Sequence, residues 1–558
     1  MHAGEPHPGR ADLAGVRGTV PEPRQVLRPD GQEDLNERLA VRRWWRAAAW
    51  IGCGIALFAF LLRISLSRAM NSDGANNALQ GWEILHGNVL LHGWLIGDAT
   101  YYTLELPLYA ITEALFGLHL LTCHVVSALT YLIVVACAAA LAVTGSQGLS
   151  RAARCLAVIA VLGSPLLTRS GVVFLLEVPD HIGTSAIMLA SFLLIDRAPG
   201  RRFTPPLLCA ILAAGQIGDA TVRYVAVPAV LLVCAYRVLA ARKIRTADTA
   251  IMLAAAVSVP LASLIRAVMT HFGAFAMVPP NTRISPAAQW PHNAAITVGN
   301  IRTLFGAVAA PAVVLGTAGA AFGLICLLAV LFGFGRVVWT WRTASRSEQL
   351  LCVGIVLNVG AYVISTLPTP WKAYEIIAVL PFGAVLAARA CVPARIADAW
   401  RGRVAIAMAA AAALVPLIAA ATPPAVDPPA VPLAAWLEAH GLRYGIAGYW
   451  DASDVTVQSG NQVQVRAIVW TSHEIIPYGW ETNTSWYDPS RHDATFVIGY
   501  AGNAGRNITP AIAERNFGRP AAVYQVAGRV ILVYTRNLLA KLPRAQPRPI
   551  RLPPSWVT

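Results

Sequence analysis

Apolar runs of about 20 residues recur between Trp45 and Thr422, and nothing else in this chain constrains its fold so tightly. A run of that length crosses a bilayer as a helix, and only helices or closed barrels can satisfy their backbone hydrogen bonds in hydrocarbon. Hydrophobic residues make up 56% of the chain and charged residues 13%, against roughly 25% charged in soluble domains. Eleven spans are expected: Ala47–Leu66, Leu120–Val143, Cys155–Leu167, Gly183–Ile195, Pro206–Gly218, Val222–Leu239, Ala250–Met269, Ala307–Phe334, Leu350–Leu367, Ile376–Ala390 and Val404–Ala421. The fold class is therefore an all-α polytopic membrane protein, with a small α/β domain after the last span.

Basic residues give the orientation, because they stay on the cytoplasmic side when loops are short. Arg38, Arg42, Arg43 and Arg46 precede the first span, and alternate loops carry clusters such as Arg197, Arg201 and Arg202 or Arg395, Arg401 and Arg403. The intervening loops hold isolated cations, including Arg169, Arg283, Arg302 and Lys372. The N-terminus is expected in the cytoplasm of a bacterium, the chain multi-pass in its plasma membrane, and everything after Ala421 outside. This asymmetry accounts for much of the net charge of +15 without any nucleic-acid partner.

The nine cysteines lie within or beside apolar spans, where Cys acts as a small hydrophobe, and no zinc-type spacing is present. Residues 1–44 are polar and rich in Pro, Gly and Arg, so a disordered cytoplasmic tail is expected before a transmembrane domain over 45–421. The Pro-rich stretch 422–432 reads as a semi-rigid linker. Over 433–540 the pattern predicts helices at Leu433–His440 and Pro510–Asn516. Strands are expected at Arg443–Trp450, Gln462–Val469, Ala494–Tyr500, Ala521–Val526 and Arg529–Thr535, with Asp451 capping a further helix and a disordered tail over 541–558.

The loop between the first two spans carries the chemistry. Ala75, Ala78, Leu79, Trp82 and Leu85 recur at helical spacing, while Asn76, Asn77, Gln80 and Glu83 face elsewhere. A second stretch opens at Pro107 and stops at Gly117, so two short amphipathic helices lying on the outer leaflet are expected. Asp73 stands just before the first of them, either as a carboxylate held at the interface or as a helix cap, and Asp98 follows in a turn-like Gly-Asp context. Glu177 and Asp180 form an acidic pair before the fourth span, where Asp180 is itself a natural cap. Arg223 and Lys372 are cations at span ends. Each could meet a lipid headgroup or merely snorkel to the interface, and Arg223 could pair with Asp219.

Several segments together resemble the GT-C glycosyltransferases, membrane enzymes that include protein O-mannosyltransferases and aminoarabinose transferases. They are SDGANNALQGWEILHGN, DATYYTLELPLYAITEALFG, LEVPDHIGTSAIMLASFLL, KAYEIIAVLPFGAVLAAR and, near the C-terminus, GIAGYWDASDVTVQSGNQVQV. The resemblance implies a GT-C-like fold and inverting transfer of a sugar from a polyprenyl-phosphate donor to an extracytoplasmic glycan, lipid or protein. It implies Asp73 as the base on the acceptor, with Glu177 or Asp180 as the acid of the second outward loop. Asp98, His86, His92, Arg223, Lys372 and Tyr374 are the candidate substrate contacts.

The chemistry is consistent with such a donor. A carboxylate near the attacking hydroxyl accepts its proton, and a cation near the leaving phosphate meets the charge that grows there. No cofactor is expected; a divalent metal on His86, His92, His271 or His292 is the alternative, although no metal-binding spacing supports it. The loop Thr270–Phe305 is long enough to cover a site or to be a passive connector. The competing functional classes are a transporter or flippase of lipid-linked sugars and a non-catalytic scaffold for envelope assembly.

Overall fold

The structure is a computed structural model that describes residues 29–97, 99–177, 181–241, 246–278, 282–309, 311, 313–396, 399–471, 473–502 and 508–545. The chain divides into two compact units, Met1–Ala56 and Leu57–Thr558. In the first, helix α1 (Pro29–Ser65) is already under way at Pro29, so part of the expected disordered tail is helical. Residues 1–28 of that tail lie outside the described residues, as do 546–558 at the other terminus.

The second unit takes up the end of α1 and continues with α2 (Ser72–Leu85), β1 (Trp94–Ile96), α3 (Glu105–Phe116), α4 (Leu120–Ala142) and α5 (Leu149–Gly163). The short α6 (Arg169–Val172) widens into a π-helical turn at Val173–Glu177. There follow α7 (Ile182–Arg197), α8 (Thr204–Gly218), α9 (Thr221–Tyr224), α10 (Ala226–Ala241) and α11 (Thr246–His271). The bundle continues through β2 (Ala276–Met277), α12 (Trp290–Leu304), α13 (Gly316–Trp339), α14 (Arg346–Ile364), α15 (Val379–Cys391) and α16 (Ala399–Ala420). The C-terminal region comprises α17 (Ala430–Ala439), β3 (Tyr444–Gly448), α18 (Tyr449–Gln458), β4 (Gln464–Trp470), β5 (Ile475–Pro477), β6 (Thr482–Asn483), β7 (Phe496–Gly499), α19 (Pro510–Phe517), β8 (Ala522–Val526) and β9 (Arg529–Val533).

Among the described residues eight helices are long and apolar enough to cross a membrane. The pair Arg169–Glu177 and Ile182–Arg197, bent by 71°, would make a ninth. The count of eleven is thus not reproduced. Two expected spans are the shorter helices α8 and α15, of 15 and 13 residues. Every residue of α15 from Val379 to Arg389 is buried, so its apolar character serves the inside of the bundle. The expected span from Ala307 starts later, at Gly316, with Gly306 and Leu315 at φ of 68° and 70° in the irregular approach. The expected long loop Thr270–Phe305 contains β2 and α12; its Pro279 and Pro280 lie outside the described residues.

Helix α4, about 35 Å long at 1.5 Å per residue, defines the two ends of the bundle. Near Leu120, His119 Nε2 lies 3.1 Å from the side-chain amide of Gln458 on α18. Beyond Leu141, the Arg389 and Arg154 guanidiniums donate to the carbonyls of Leu141 and Ala142 at 2.5 and 3.1 Å, satisfying the exposed end of the helix. Arg389 also donates to Ser345 and Ser347, and Arg336 pairs with Glu348 at 2.7 Å. The basic loops are knit into this second end.

Six strands form the sheet of the C-terminal α/β region in the order β5-β4-β3-β7-β9-β8. The inner pairs β3–β4 and β3–β7 are parallel and the outer pairs antiparallel. The parallel strands are buried on both faces, as such strands usually are. Asp451 does not cap α18, whose cap is Gly448; it lies inside the first turn.

Of the two first-loop helices, α2 differs from expectation, whereas α3 keeps Ile111 and Leu115 exposed on its outer face; both helices also reach inward. They are built into a single hydrophobic core with the α/β region, in which Ala75, Leu79, Leu106 and Tyr109 join Tyr449, Val455 and Phe496. The polar face of α2 is buried too: Asn76 bonds to Tyr449 and Ser453, and Gln80 donates to Glu481 at 2.7 Å. Apolar side chains face one way and hydrogen-bonding ones meet the α/β region, so α2 is a sandwiched element rather than one afloat on lipid. A small sheet, β2-β1-β6, reinforces the junction by pairing the first loop with the segment after α11 and with the α/β region.

Candidate active site

The chain leaves α1 through a tight turn at Leu66–Arg68 and enters α2 at Asn71, whose side chain accepts from the N–H groups of Asp73 and Gly74 at 3.0 and 3.3 Å. Asn71 is therefore the helix cap, and the capping role considered for Asp73 falls away. The Tyr449 hydroxyl of α18 donates to Asp73 Oδ1 instead. Burial, followed by the nearby Asp73 charge, holds the Tyr449 hydroxyl well above the ordinary phenol range, so it remains a donor.

Gly74 lets the second loop approach. A Cβ there would come within 2.7 Å of Met70 Sδ and 3.5 Å of the Glu177 carbonyl oxygen. Glu177 thus lies against the start of α2. A cavity of about 230 Å³ opens beside this contact, lined by Asn71, Glu177, Trp450, Asp451, Asp454 and Arg529 among others. Asp454 lies on its wall, one turn along α18 from Asp451, and accepts from Ser72 Oγ at 3.3 Å. Burial, and then the neighbouring Asp451, Asp73 and Glu177, hold Asp454 well above the usual carboxylate range. Arg529 donates two N–H bonds to Asp451 Oδ1, at 2.8 and 3.0 Å, and its guanidinium stacks on Tyr500 at 3.9 Å.

Positive charge comes from Arg68 and Arg169. Burial, and then the adjacent Arg169, lower the proton affinity of Arg68, while Glu177 opposes them. The Arg68 Nε lies buried without a hydrogen-bond partner among the described residues. Acid and base are thus grouped at the end of the bundle that the α/β region covers.

A second cluster begins at His181, four residues beyond Glu177. His181 Nδ1 bonds to Asp219 Oδ2 at 2.6 Å, and its Nε2 lies 3.7 Å from Glu375 Oε2. Lys372 Nζ is 3.9 Å from Glu375 Oε1, and the Tyr374 ring stacks on His181 with centroids 6.4 Å apart. Burial opposes ionisation of Asp219, but His181, Thr184 and the Thr221 N–H outweigh it and bring the carboxyl down to about 2. The i, i+4 pairing of Asp219 with Arg223 is not formed; Asp219 is committed to His181 and Thr184, and Arg223 is exposed on α9. Glu105 adjoins this cluster with its carboxyl pushed up to about 8, chiefly by burial.

Of the residues singled out from sequence, Asp73 and Glu177 come together, and Lys372 and Tyr374 share the His181 cluster. His86 is the C-terminal cap of α2, about 20 Å along the helix from Asp73. It bonds to the Trp82 carbonyl, and His92 bonds to the Gly273 carbonyl at 2.6 Å, so neither joins the acids. Asp98 and Asp180 lie outside the described residues. Among the described residues no group of three or more His, Cys, Asp and Glu could hold a metal ion. Sequence reasoning missed Tyr449 and Asp454 as site residues and passed over Arg68. A signal was present in GYWDASD, which puts Tyr449, Asp451 and Asp454 within two turns of one helix.

This helical bundle, with its first-loop acid enclosed by a C-terminal α/β region, has the fold seen in solved structures of a GT-C type glycosyltransferase. The particular structures it is similar to are of ArnT, an aminoarabinose transferase, from Cupriavidus metallidurans. The apo form superposes with a TM-score of 0.55 at 12% identity over 89% of this chain and 99% of that one. The form bound to undecaprenyl phosphate gives 0.52 at 13% identity over 88% and 99%. No family model and no curated relative matches the chain.

Proposed function

We propose that this protein transfers a sugar from a polyprenyl-phosphate donor to an acceptor on the outer face of the bacterial plasma membrane, with inversion at the sugar carbon. The tail before Trp45 and the basic end of the bundle face the cytoplasm, the bundle up to Ala421 spans the bilayer, and the α/β region beyond the Pro-rich linker lies outside. The observation that carries this reading is the convergence of Asp73, Glu177 and Asp454 with Arg68 and Arg169 at one end of the bundle. The ArnT fold, with undecaprenyl phosphate bound in one of the two structures, supports it.

Each residue has a distinct task in this reading. Asp73, oriented by the Tyr449 hydroxyl, accepts the proton of the attacking acceptor hydroxyl as the new glycosidic bond forms. Arg68 and Arg169 stabilise the charge that gathers on the leaving polyprenyl phosphate, the more strongly because Arg68 is partly desolvated. Glu177 orients that arginine pair. Asp454, whose carboxyl burial and the neighbouring acids hold well above the usual carboxylate range, is assigned to hydrogen-bond sugar hydroxyls rather than to act as a second base. Lys372 and Tyr374 extend the headgroup site, and Asp98, Asp180 and Arg223 are assigned as further contacts of the substrates.

Radiolabelled polyprenyl-phosphate sugars supplied to the protein in proteoliposomes test this directly. The parent should consume one of them, and Asp73→Asn should abolish transfer at unchanged protein abundance. Transfer at the parental rate by that variant would remove the base.

A further inference from the structure

A second cavity, of about 250 Å³, lies between the C-terminal half of α2 and the α/β region. Its lining includes Trp82 and Glu83 from α2, Gln464 and Arg466 from β4 and its entry, and Trp486 and His492. It is smaller than the roughly 300–1,000 Å³ of sites for drug-sized ligands, and so is suited to a single sugar ring.

Arg466 is the unusual group. It is 7% exposed, and no carboxylate lies within ion-pair distance of it among the described residues. Of the five N–H donors of a guanidinium, one is used on Gln464 Oε1 at 2.6 Å. One face of the plane is covered by the Trp486 ring at 3.9 Å, and Trp486 is itself held edge-on by Trp94 with centroids 4.9 Å apart. A buried cation without a counter-ion is costly, and such groups are normally paired. Burial brings the Arg466 guanidinium down to about 10, with Tyr487, Glu83 and Tyr444 partly offsetting it, so it is still charged at neutral pH. His492 is driven toward its neutral form by burial and by Arg466, and so supplies hydrogen-bonding capacity without adding positive charge.

The rest of the lining suits a sugar ring. Trp82 is half-buried and packs against His86 with the rings tilted by 41°, and amphipathic indole surfaces suit the apolar faces of pyranoses. Glu83, Gln464, Asn461 and Ser485 add acceptors and donors around the rim. Glu83 is already oriented by Asn88, whose amide donates to it at 2.8 Å.

We infer that this cavity is a saccharide subsite for a pyranose carrying a carboxylate or phosphate group, with Arg466 taking the anionic group and Trp82 and Trp486 framing the ring. The site joins the first loop to the α/β region, so its ligand would bridge them. The inference does not rest on the transfer reading, and its failure would leave Asp73 and its chemistry untouched.

The test uses the full chain purified in detergent. Saturation-transfer NMR reads the sugar protons of glucuronate, glucose 6-phosphate and glucose, and competition by inorganic phosphate measures the anion alone. Both anionic sugars should bind at least about tenfold more tightly than glucose or phosphate, as expected for a hydrogen bond to a charged group added to ring contacts. Arg466→Gln should weaken them roughly 30-fold or more. Asn461→Asp places a negative charge on the rim at a left-handed position (φ 69°) that Asp tolerates, and it should weaken anionic sugars roughly fivefold more than it weakens glucose. It decides the matter should the Arg466 variant fail to fold. Phosphate competing as well as glucose 6-phosphate, either variant binding as the parent does, or no binding of either anionic sugar would overturn the inference.

Discussion

Tyr449→Phe isolates the contact on which the proposed base depends. The hydroxyl donates to Asp73 Oδ1 and accepts from Asn76 Nδ2 at 3.2 Å, so the variant removes one bond that favours the carboxylate and one neutral bond. A hydrogen bond to a charged group contributes about 1.5–3 kcal/mol, and its loss raises the proton affinity of Asp73 by a corresponding amount. The base would then become protonated at higher pH. In a pH profile of kcat/KM for sugar transfer, the acid limb should move to higher pH by that amount, while the rate on the alkaline plateau changes little. Because Asn76 is buried, the variant should also lose about 1–3 kcal/mol of stability, read separately by thermal melting. An acid limb that stays in place in a folded variant would refute the assignment of Asp73 as a base oriented by Tyr449.

Arg529→Ala strips the buried Asp451 of its partner and should destabilise the protein by about 3–5 kcal/mol in thermal unfolding. The loss should be greater at pH 8 than at pH 5, because protonating Asp451 relieves it, and Asp451→Asn in the same chain should restore part of it. Glu113 of α3 has its carboxyl pushed up to about 9 by burial. A carboxyl whose folded value is raised keeps its full stability below the unfolded value near 4.5 and loses it as pH climbs toward 9. Glu113→Gln should therefore raise the melting temperature at pH 8 and leave it little changed at pH 4, and a constant difference across that range would contradict the sign.

The bundle and the strands were legible in the sequence because their signals are local. Hydropathy over twenty residues marks a span, and a short apolar run bounded by turn residues marks a strand such as Tyr444–Gly448 or Arg529–Val533. The exact count of eleven spans, held to within about two, is not confirmed where that signal is ambiguous, since α15 is apolar on every side through being enclosed by other helices. Asp73 could be found because an acid beside an amphipathic stretch is a short-range pattern. Its partner Tyr449 is 376 residues away, and no periodicity connects them. His86 and His92 were drawn in by closeness in sequence, yet a rigid helix of 14 residues carries His86 away from the acid. The polar face of α2 could have given warning. Asn76, Asn77 and Gln80 side by side suit a helix with a protein partner on that side better than one facing water.

The sheet that threads β1 between β2 and β6 has a consequence for biogenesis. β1 emerges from the ribosome well before β2, and β2 well before β6, so a nascent chain cannot complete this ribbon until Thr482 and Asn483 have been synthesised. The polar residues of α2 wait as long for Tyr449 and Glu481. A chain halted before Glu481 and β6 would carry all of its long apolar helices and still lack an assembled first loop.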